Sequence, residues 1–331
     1  MKKISKKKIL IIGSKETYTL DKMYFRALKK LKHKVEFYHT HNTIRNKLIL
    51  FIEKYFSFFY YFIIRFSLIN FLGKKNNYDL IIFIKGLYIN QNFLKKIRIL
   101  NKNLKLVNIY PDNPLNIKDQ NISNKNILNS IELFDYFCIW SKSIIKKIKK
   151  IKNNKNIIYL PFGYDEFFHI KGKKNNKYSQ TINFIGSYDQ QREKILKSIK
   201  KKELLIAGNG WKNINNLGKP IFENELNSII YSSLISINIL REQNKGSHNM
   251  RTFEIPAMGG LMLTTRSKEQ NLFFKEYKDC LMYNSKRELN QKIEYIIKNK
   301  KKLNTMRKNA FKKSKKHTYT KRSIYLLNKI F

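Results

Sequence analysis

Runs of uninterrupted apolar residues alternate with helix-length stretches along almost the whole chain, and that alternation leaves few folds open. "KKILIIGS" (7–14) ends in glycine, residues 20–32 carry apolar positions at helical spacing, and "HKVEFYHT" (33–40) returns to a strand pattern. "YDLIIFIKG" (78–86), "LKLVNIYPDNP" (104–114), "FDYFCIWS" (134–141) and "NIIYLPFGYD" (156–165) follow, with helical pieces between them. A strand that is apolar at every position, and not at every second one, is covered on both faces. That is the signature of a parallel sheet flanked by helices.

The polar, basic segment "HIKGKKNNKYSQ" (169–180) has no periodicity and reads as a linker. Beyond it the alternation restarts: "TINFIGS" (181–187), a helix at 189–200, "ELLIAGNG" (203–210), a helix at 223–231 and "SLISINIL" (233–240). "LMLTT" (261–265), "CLMYN" (280–284) and a helix from 285 to about 300 complete the second series. The expectation is two doubly wound α/β domains, 1–168 and 181–315, with a closing segment, 316–331, that crosses back over the first domain. Ligands of open parallel sheets settle beyond the carboxyl ends of the strands. The loops after Gly13, after Gly186 and at 249–264 are therefore of interest, and the cleft between two such domains is the expected site.

Charge bears on partners. The chain has 68 Lys and Arg against 23 Asp and Glu, a net charge of +45. Such a field draws polyanions, either nucleic acid or an anionic membrane face. Joint enrichment in Lys, Asn and Ile throughout is also what an AT-rich coding sequence produces. The basic residues are spread, and no RNA or DNA module is recognisable, so no specific nucleic-acid partner is expected. A hydrophobic content of 42% supplies packed cores and argues against wholesale disorder.

Cys138 and Cys280 lie far apart in apolar contexts, with neither a metal pattern nor a disulfide framework, which fits a reducing compartment. The opening "MKKISKKKILIIGS" is basic, but its apolar part is only Ile9–Ile12, too short for an export signal, so a cytoplasmic chain is expected. Within residues 48–72, "LILFIEKYFSFFYYFIIRFSLINFL", Tyr55–Leu72 is about a bilayer span in length. Arg65 sits inside that stretch, and an arginine at mid-membrane costs about 2.5–3.5 kcal/mol. A buried or interfacial helix is the expectation, with an in-plane contact to an anionic membrane surface as its functional form.

Two stretches carry candidate chemistry. In "NFIGSYDQQR" a strand ends at Gly186-Ser187 and a helix follows with Arg192 in its first turns. That arrangement offers an anion site, and it serves an ordinary tight βα turn equally well. In "NMRTFEIPAMGGLMLT" (249–264), Pro256 belongs in a helix's first turn, which sets the helix start near Thr252 or Phe253. Arg251 then stands just before the helix and Glu254 in its first turn, and Gly259-Gly260 turns the chain into "LMLTT". One reading has Glu254 favouring the helix dipole. The other has Arg251 on a diphosphate and Glu254 on ribose hydroxyls.

"MRTFEIPAMGGLMLT" resembles the Arg-x-Phe-Glu-x-x-Ala-x-Gly-Gly signature of CgeB-like (spore-maturation type) glycosyltransferases, which have the GT-B fold of two Rossmann-like doubly wound domains facing a central cleft. "FIKG" (83–86), "YPDNP" (110–114), "LPFGYDEFFH" (160–169), "NFIGSYDQQR" and "HTYTKR" (317–322) resemble that family's landmarks in the same order, so the resemblance covers nearly the whole chain. It implies transfer of a sugar from a nucleotide-diphospho-sugar (UDP-, GDP- or another) to a glycan or lipid-linked acceptor in surface-polysaccharide or glycoconjugate assembly. It further implies a C-terminal domain that grips the donor through Gly186, Arg192, Arg251 and Glu254, with His248 and Gly259 beside them, and an N-terminal domain that presents the acceptor. No cofactor or bound metal is required; basic groups neutralise the leaving diphosphate. Many retaining GT-B enzymes carry an earlier glutamate eight positions before the one matched by Glu254, and this chain has Gly246 there.

An inverting transfer needs a general base. Asp112 in "YPDNP" follows a strand's carboxyl end, and Asp-Asn-Pro is also a common turn. His39 and His41 likewise end a strand, where loop or core roles compete, and Lys85-Gly86 reads as shaping a cleft loop. The rival readings are a catalytically inactive GT-B homologue, since fold does not secure activity, and a protein that binds nucleic acid or anionic surfaces.

Overall fold

A computed structural model describes every residue except 1–3, 15, 41–54, 76, 120–122, 153–155, 201–202 and 213–218. His41 and residues 48–54 of the aromatic stretch thus lie outside the described residues. The chain resolves into two compact units, Met1–Pro161 with Thr320–Phe331, and Phe162–Tyr319.

In the first unit the predicted strands form one sheet: β1 (Lys8–Gly13), β2 (Lys34–His39), β3 (Leu80–Ile84), β4 (Lys105–Tyr110), β5 (Tyr136–Ile139) and β6 (Ile157–Tyr159). Their order is β2-β1-β3-β4-β5-β6, and every pair is parallel. Ile9–Ile12 and Leu80–Phe83 have no exposed surface, which is why these runs are apolar at every position. Among the described residues, five helices join the strands: α1 (Leu20–Lys30), α2 (Ser57–Lys74), α3 (Gln91–Leu100), α4 (Lys125–Ser130) and α5 (Lys142–Ile151). Register pairs Gly13 with His39 and Ile84 with Ile109, so the carboxyl ends of β1 to β4 line one edge.

The second unit repeats the logic with β7 (Ile182–Ile185), β8 (Leu204–Ala207), β9 (Ile235–Asn238), β10 (Met262–Thr265) and β11 (Leu281–Tyr283) in the order β11-β10-β9-β7-β8, again all parallel. Helices α6 (Gln190–Leu196), α7 (Glu223–Ser232), α8 (Arg251–Ala257), α9 (Lys268–Phe273), α10 (Lys286–Lys298) and α11 (Lys300–Ser314) surround it. Its core joins Ile182, Phe184, Ile206, Ile237, Leu263 and Leu281 of the strands to Leu289, Ile293 and Met306 of the last two helices. Chain order reverses direction between β7 and β9, which makes that gap the switch point of the sheet. The final helix, α12 (Tyr319–Ile330), clusters with the first unit, where the Tyr136 hydroxyl donates to the Lys329 carbonyl at 2.6 Å. Both cysteines are buried free thiols.

Two local expectations are corrected. Pro256 is the sixth residue of α8 and not in its first turn. The helix starts earlier because Asn249 and Thr252 cap one another: Asn249 Oδ1 accepts the Thr252 N–H at 3.2 Å, and Thr252 Oγ1 accepts the Asn249 N–H at 3.3 Å. With only one residue of α8 after it, the missing proline N–H disturbs little of the helix. The strand foreseen over 156–165 ends at Tyr159, just before Pro161.

Close approach of β7 and β8 at their carboxyl ends rests on Gly208, whose φ is +143° and whose added Cβ would lie 2.2 Å from the Gly186 carbonyl oxygen. Gly208→Ala is therefore expected to destabilise the protein by about 1–3 kcal/mol, read from denaturant midpoints at unchanged slope.

Candidate functional site

The switch point of the second unit collects the candidate donor residues. Arg192, buried on α6, donates through Nη1 to the Ser187 carbonyl (3.0 Å) and through Nη2 to the Ile239 carbonyl (3.1 Å). It thereby ties the chain leaving β7 to the chain leaving β9. Arg251, at the start of α8, donates through Nε to the Ile185 carbonyl (3.1 Å) and through Nη1 to Glu254 Oε2 (2.7 Å). Gly186 closes the βα turn: its N–H donates to the Ala207 carbonyl and its carbonyl accepts the Trp211 indole N–H, each at 2.8 Å.

Arg241 is the residue that sequence reasoning missed. It follows the carboxyl end of β9 and is exposed. Burial, together with repulsion from Arg241 and Arg251, lowers the Arg192 pKa to about 10, while Asp189 opposes the shift. Three guanidinium groups thus converge on the switch point, and the arrangement suits an anion with more than one charge. The signal was available in "INILREQN", an apolar strand that runs straight into an arginine.

Glu254 is 5% exposed. Its Oε2 takes the Arg251 guanidinium, and its Oε1 faces His169 Nε2 at 3.7 Å. His169 Nδ1 accepts the Asp165 N–H at 3.1 Å, which places the proton of the neutral ring on Nε2, toward the carboxylate. Burial holds the His169 pKa below its ordinary value, outweighing the attraction of Glu254. An Arg–Glu–His chain of this kind fixes a carboxylate in one orientation, where it can accept hydrogen bonds from hydroxyl groups.

His248 is fully buried, so it is neither an exposed loop residue nor open to a ligand. Its Nε2 accepts the Phe162 N–H at 3.2 Å, Nδ1 meets the Ser247 hydroxyl at 3.2 Å, and Phe162, Phe253 and Phe273 pack edge-on around the ring. Gly259 lies past the far end of α8, roughly 12 Å from the Arg251 end by helical rise. Its φ is +81° and an added Cβ would meet the Tyr231 ring at 2.8 Å, which makes it a turn residue that packs on α7.

In the first unit the Asp112 carboxylate, past the carboxyl end of β4, meets the Lys85 ammonium at 3.0 Å. Lys85 leaves β3 with φ +64°, its N–H on the Ile109 carbonyl and its own carbonyl on Asn108 Nδ2. This strained backbone aims a cation at Asp112. His39 packs tilted against Phe37 (4.7 Å between centroids) at the end of β2. Two strands stand between β2 and β4, a separation of roughly 14 Å, so the two predicted bases form no single cluster. Among the described residues no group of three or more His, Cys, Asp or Glu side chains is placed to hold a metal ion.

Known proteins extend this picture. A family described as glycosyl transferase-like matches residues 190–328. No curated protein matches the sequence. Among solved structures, HepE from Anabaena, crystallised with UDP-glucose, is 10% identical with a TM-score of 0.65, covering 98% of this chain and 100% of its own. Sucrose-phosphate synthase from Thermosynechococcus elongatus is 12% identical with a TM-score of 0.68, covering 98% and 99%. A glycosyltransferase from Rickettsia africae is 13% identical with a TM-score of 0.64, covering 99% and 98%.

A neutral, buried His169 makes stability depend on acid. The unfolded histidine takes up a proton near pH 6.5, and the folded one resists it, so folding stability is full above that pH and is lost as the pH falls below it. His33, whose pKa is also lowered by burial, adds to the same limb. Thermal unfolding followed from pH about 7.5 to 5 is expected to show a falling Tm, and His169→Asn is expected to flatten that fall relative to the parent. The fold is GT-B, and residues 190–328 are glycosyl transferase-like in sequence.

Proposed function

We propose that the protein moves a sugar from a nucleoside-diphospho-sugar to a glycan or lipid-linked acceptor in surface-polysaccharide or glycoconjugate assembly, in the manner of CgeB-like enzymes, at the inner face of the membrane. The observation that carries the reading is the convergence of Arg192, Arg241 and Arg251 at the β7/β9 switch point, beside a buried, oriented Glu254. Two negative phosphates relieve the mutual repulsion of the three arginines, and Glu254 accepts hydrogen bonds from ribose hydroxyls. As the glycosidic bond breaks, negative charge grows on the leaving diphosphate, and guanidinium groups already held by backbone carbonyls stabilise it without reorganising. Transfer on this scheme needs no metal. UDP is the first nucleotide to try, because HepE has been crystallised with UDP and with UDP-glucose. On the acceptor side, Asp112 takes the proton of the attacking hydroxyl, and Lys85 holds its carboxylate in place.

Thermal shift with a panel of nucleoside diphosphates tests the donor half. One of them is expected to raise Tm, and Arg251→Gln and Arg241→Gln are each expected to weaken its binding by about tenfold, or ~1.4 kcal/mol. Arg241→Gln is the cleaner variant, since removing Arg251 leaves the buried Glu254 without its cation. Stabilisation by oligonucleotides and by no nucleotide would sink the reading. Donor-sugar hydrolysis is expected to persist in chelator, and transfer to a supplied acceptor is expected to fall by about two or more orders of magnitude in Asp112→Asn; loss in chelator would overturn the metal-free scheme.

A further inference from the structure

Helix α2 exposes Phe58, Phe59, Phe62, Ile63 and Phe66, each by 48% to 80%. Only Ile64, Leu68 and Leu72 are buried against the first unit. Positions 58, 62 and 66, and 59 and 63, are one helical turn apart, so the five side chains form one stripe along the outer side. A helix that is apolar on all sides is ordinarily buried on all sides; this one is buried on one. A contiguous aromatic stripe on a chain this highly charged marks a contact surface.

Beside the stripe lies a groove of about 250 Å³, walled by Phe62, Phe66 and Phe93, with Arg65, Asn90 and Lys96 at its polar side. Among the described residues no carboxylate lines it. Arg65 donates through Nη1 to the Tyr88 carbonyl at 2.9 Å, which holds the guanidinium at the groove, and partial burial lowers its pKa. Aromatic walls beside unneutralised cations match a lipid, whose acyl region is apolar and whose phosphate is negative. No helix among the described residues is long and apolar enough to cross a membrane; a stripe along one side of α2 suits contact in the plane of a bilayer.

We infer that α2 is a membrane-docking surface: it lays the Phe58–Phe66 stripe into the interfacial layer of an anionic bilayer, and Arg65 and Lys96 take a lipid phosphate in the groove. The net charge of +45 draws the protein to that surface over a longer range, and the stripe converts attraction into insertion. Docking rests on the membrane location in the proposed function, but it needs neither donor nor acceptor, so its failure is distinguishable from failure of the transfer reading.

Co-sedimentation of the full chain with vesicles of phosphatidylcholine, alone and with phosphatidylglycerol added, tests the inference. The parent is expected to bind the anionic vesicles. The triple variant Phe58→Ser, Phe62→Ser, Phe66→Ser, which leaves every charge in place, is expected to bind them at least about tenfold less. Arg65→Gln with Lys96→Gln is expected to lose preference for the anionic vesicles. At about 1 M salt, where the screening length is roughly 3 Å, the parent is expected to retain more binding than the triple variant. Equal binding of parent and triple variant would leave diffuse charge as the whole attraction and overturn the inference. So would a parent that dimerises through the stripe and shows no difference on vesicles. If the triple variant fails to fold, Phe58→Trp decides the matter: bilayer insertion predicts quenching of its fluorescence by brominated acyl chains, and no quenching refutes it.

Discussion

One guanidinium organises the second unit. Arg251 holds the last carbonyl of β7 with Nε and the Glu254 carboxylate with Nη1, so a single side chain joins the sheet's switch point to the helix that borders it. A buried pair of this kind is weak evidence for stability, because desolvation offsets much of the attraction. Its consequence is position. Glu254, nearly sealed from solvent and backed by His169, has one orientation open to it, and a carboxylate that cannot turn away is ready for hydroxyl groups. The scaffold behind it is polar as well: Asn238 and Asn249 exchange amide hydrogen bonds at 3.0 and 2.9 Å, and Gln270 Oε1 accepts from Thr252 and Thr264. Every member of that network sits on a strand end, or on a helix or its cap, so it fixes where α8 begins.

The second constraint is like charge. Arg192 is buried, repelled by two other arginines, and faced by Asp189 as its opposing charge. Strand-end carbonyls make the arrangement tolerable, since Ser187 and Ile239 each accept from it. Those carbonyls are available because a parallel sheet leaves its last acceptors unpaired beyond the carboxyl ends. The topology that creates the crevice therefore also anchors the cations in it. The +45 net charge plays little part at this scale: the work is done by a few arginines in fixed positions, and the many lysines set only the distant field.

Much of this was legible from the chain. Among the described residues the eleven predicted strands form, most of them as unbroken apolar runs because a parallel sheet buries both faces of its central strands, and the order of motifs along the sequence pointed to the paired Rossmann-like fold. Gly186, Arg192, Arg251 and Glu254 could be singled out because each lies within a few residues of a strand end or helix start. What sequence could not give was spacing through space. Arg241 stands at a strand end that the sequence shows, but its nearness to Arg192 appears only when β9 is placed beside β7, and His169, in "YDEFFHI", gains meaning only when its ring faces Glu254. His248 misled for the same reason: proximity along the chain to Arg251 says nothing about the aromatic cage that encloses it. Pro256 misled locally, because a proline rule favours the first turn but the Asn249–Thr252 cap decides where the first turn is.

Gly246 sharpens the question of mechanism. The resemblance to GT-B enzymes puts an earlier glutamate at this position in many retaining members, yet here the residue has φ +76°, a conformation that glutamate adopts only with strain. Nothing lies within 4 Å of where its side chain would begin, so the glycine is not there to relieve crowding. Its role is the turn itself, which lets Ser247 and His248 fold inward onto Glu269. The nearest carboxylate of the loop, Glu242, starts a short 3-10 helix (Glu242–Asn244) and faces solvent beside Lys245 at 3.5 Å. The turn at Gly246 thus serves a buried Ser247–His248–Glu269 anchor, and Glu254 is the one carboxylate that α8 brings to the guanidinium cluster.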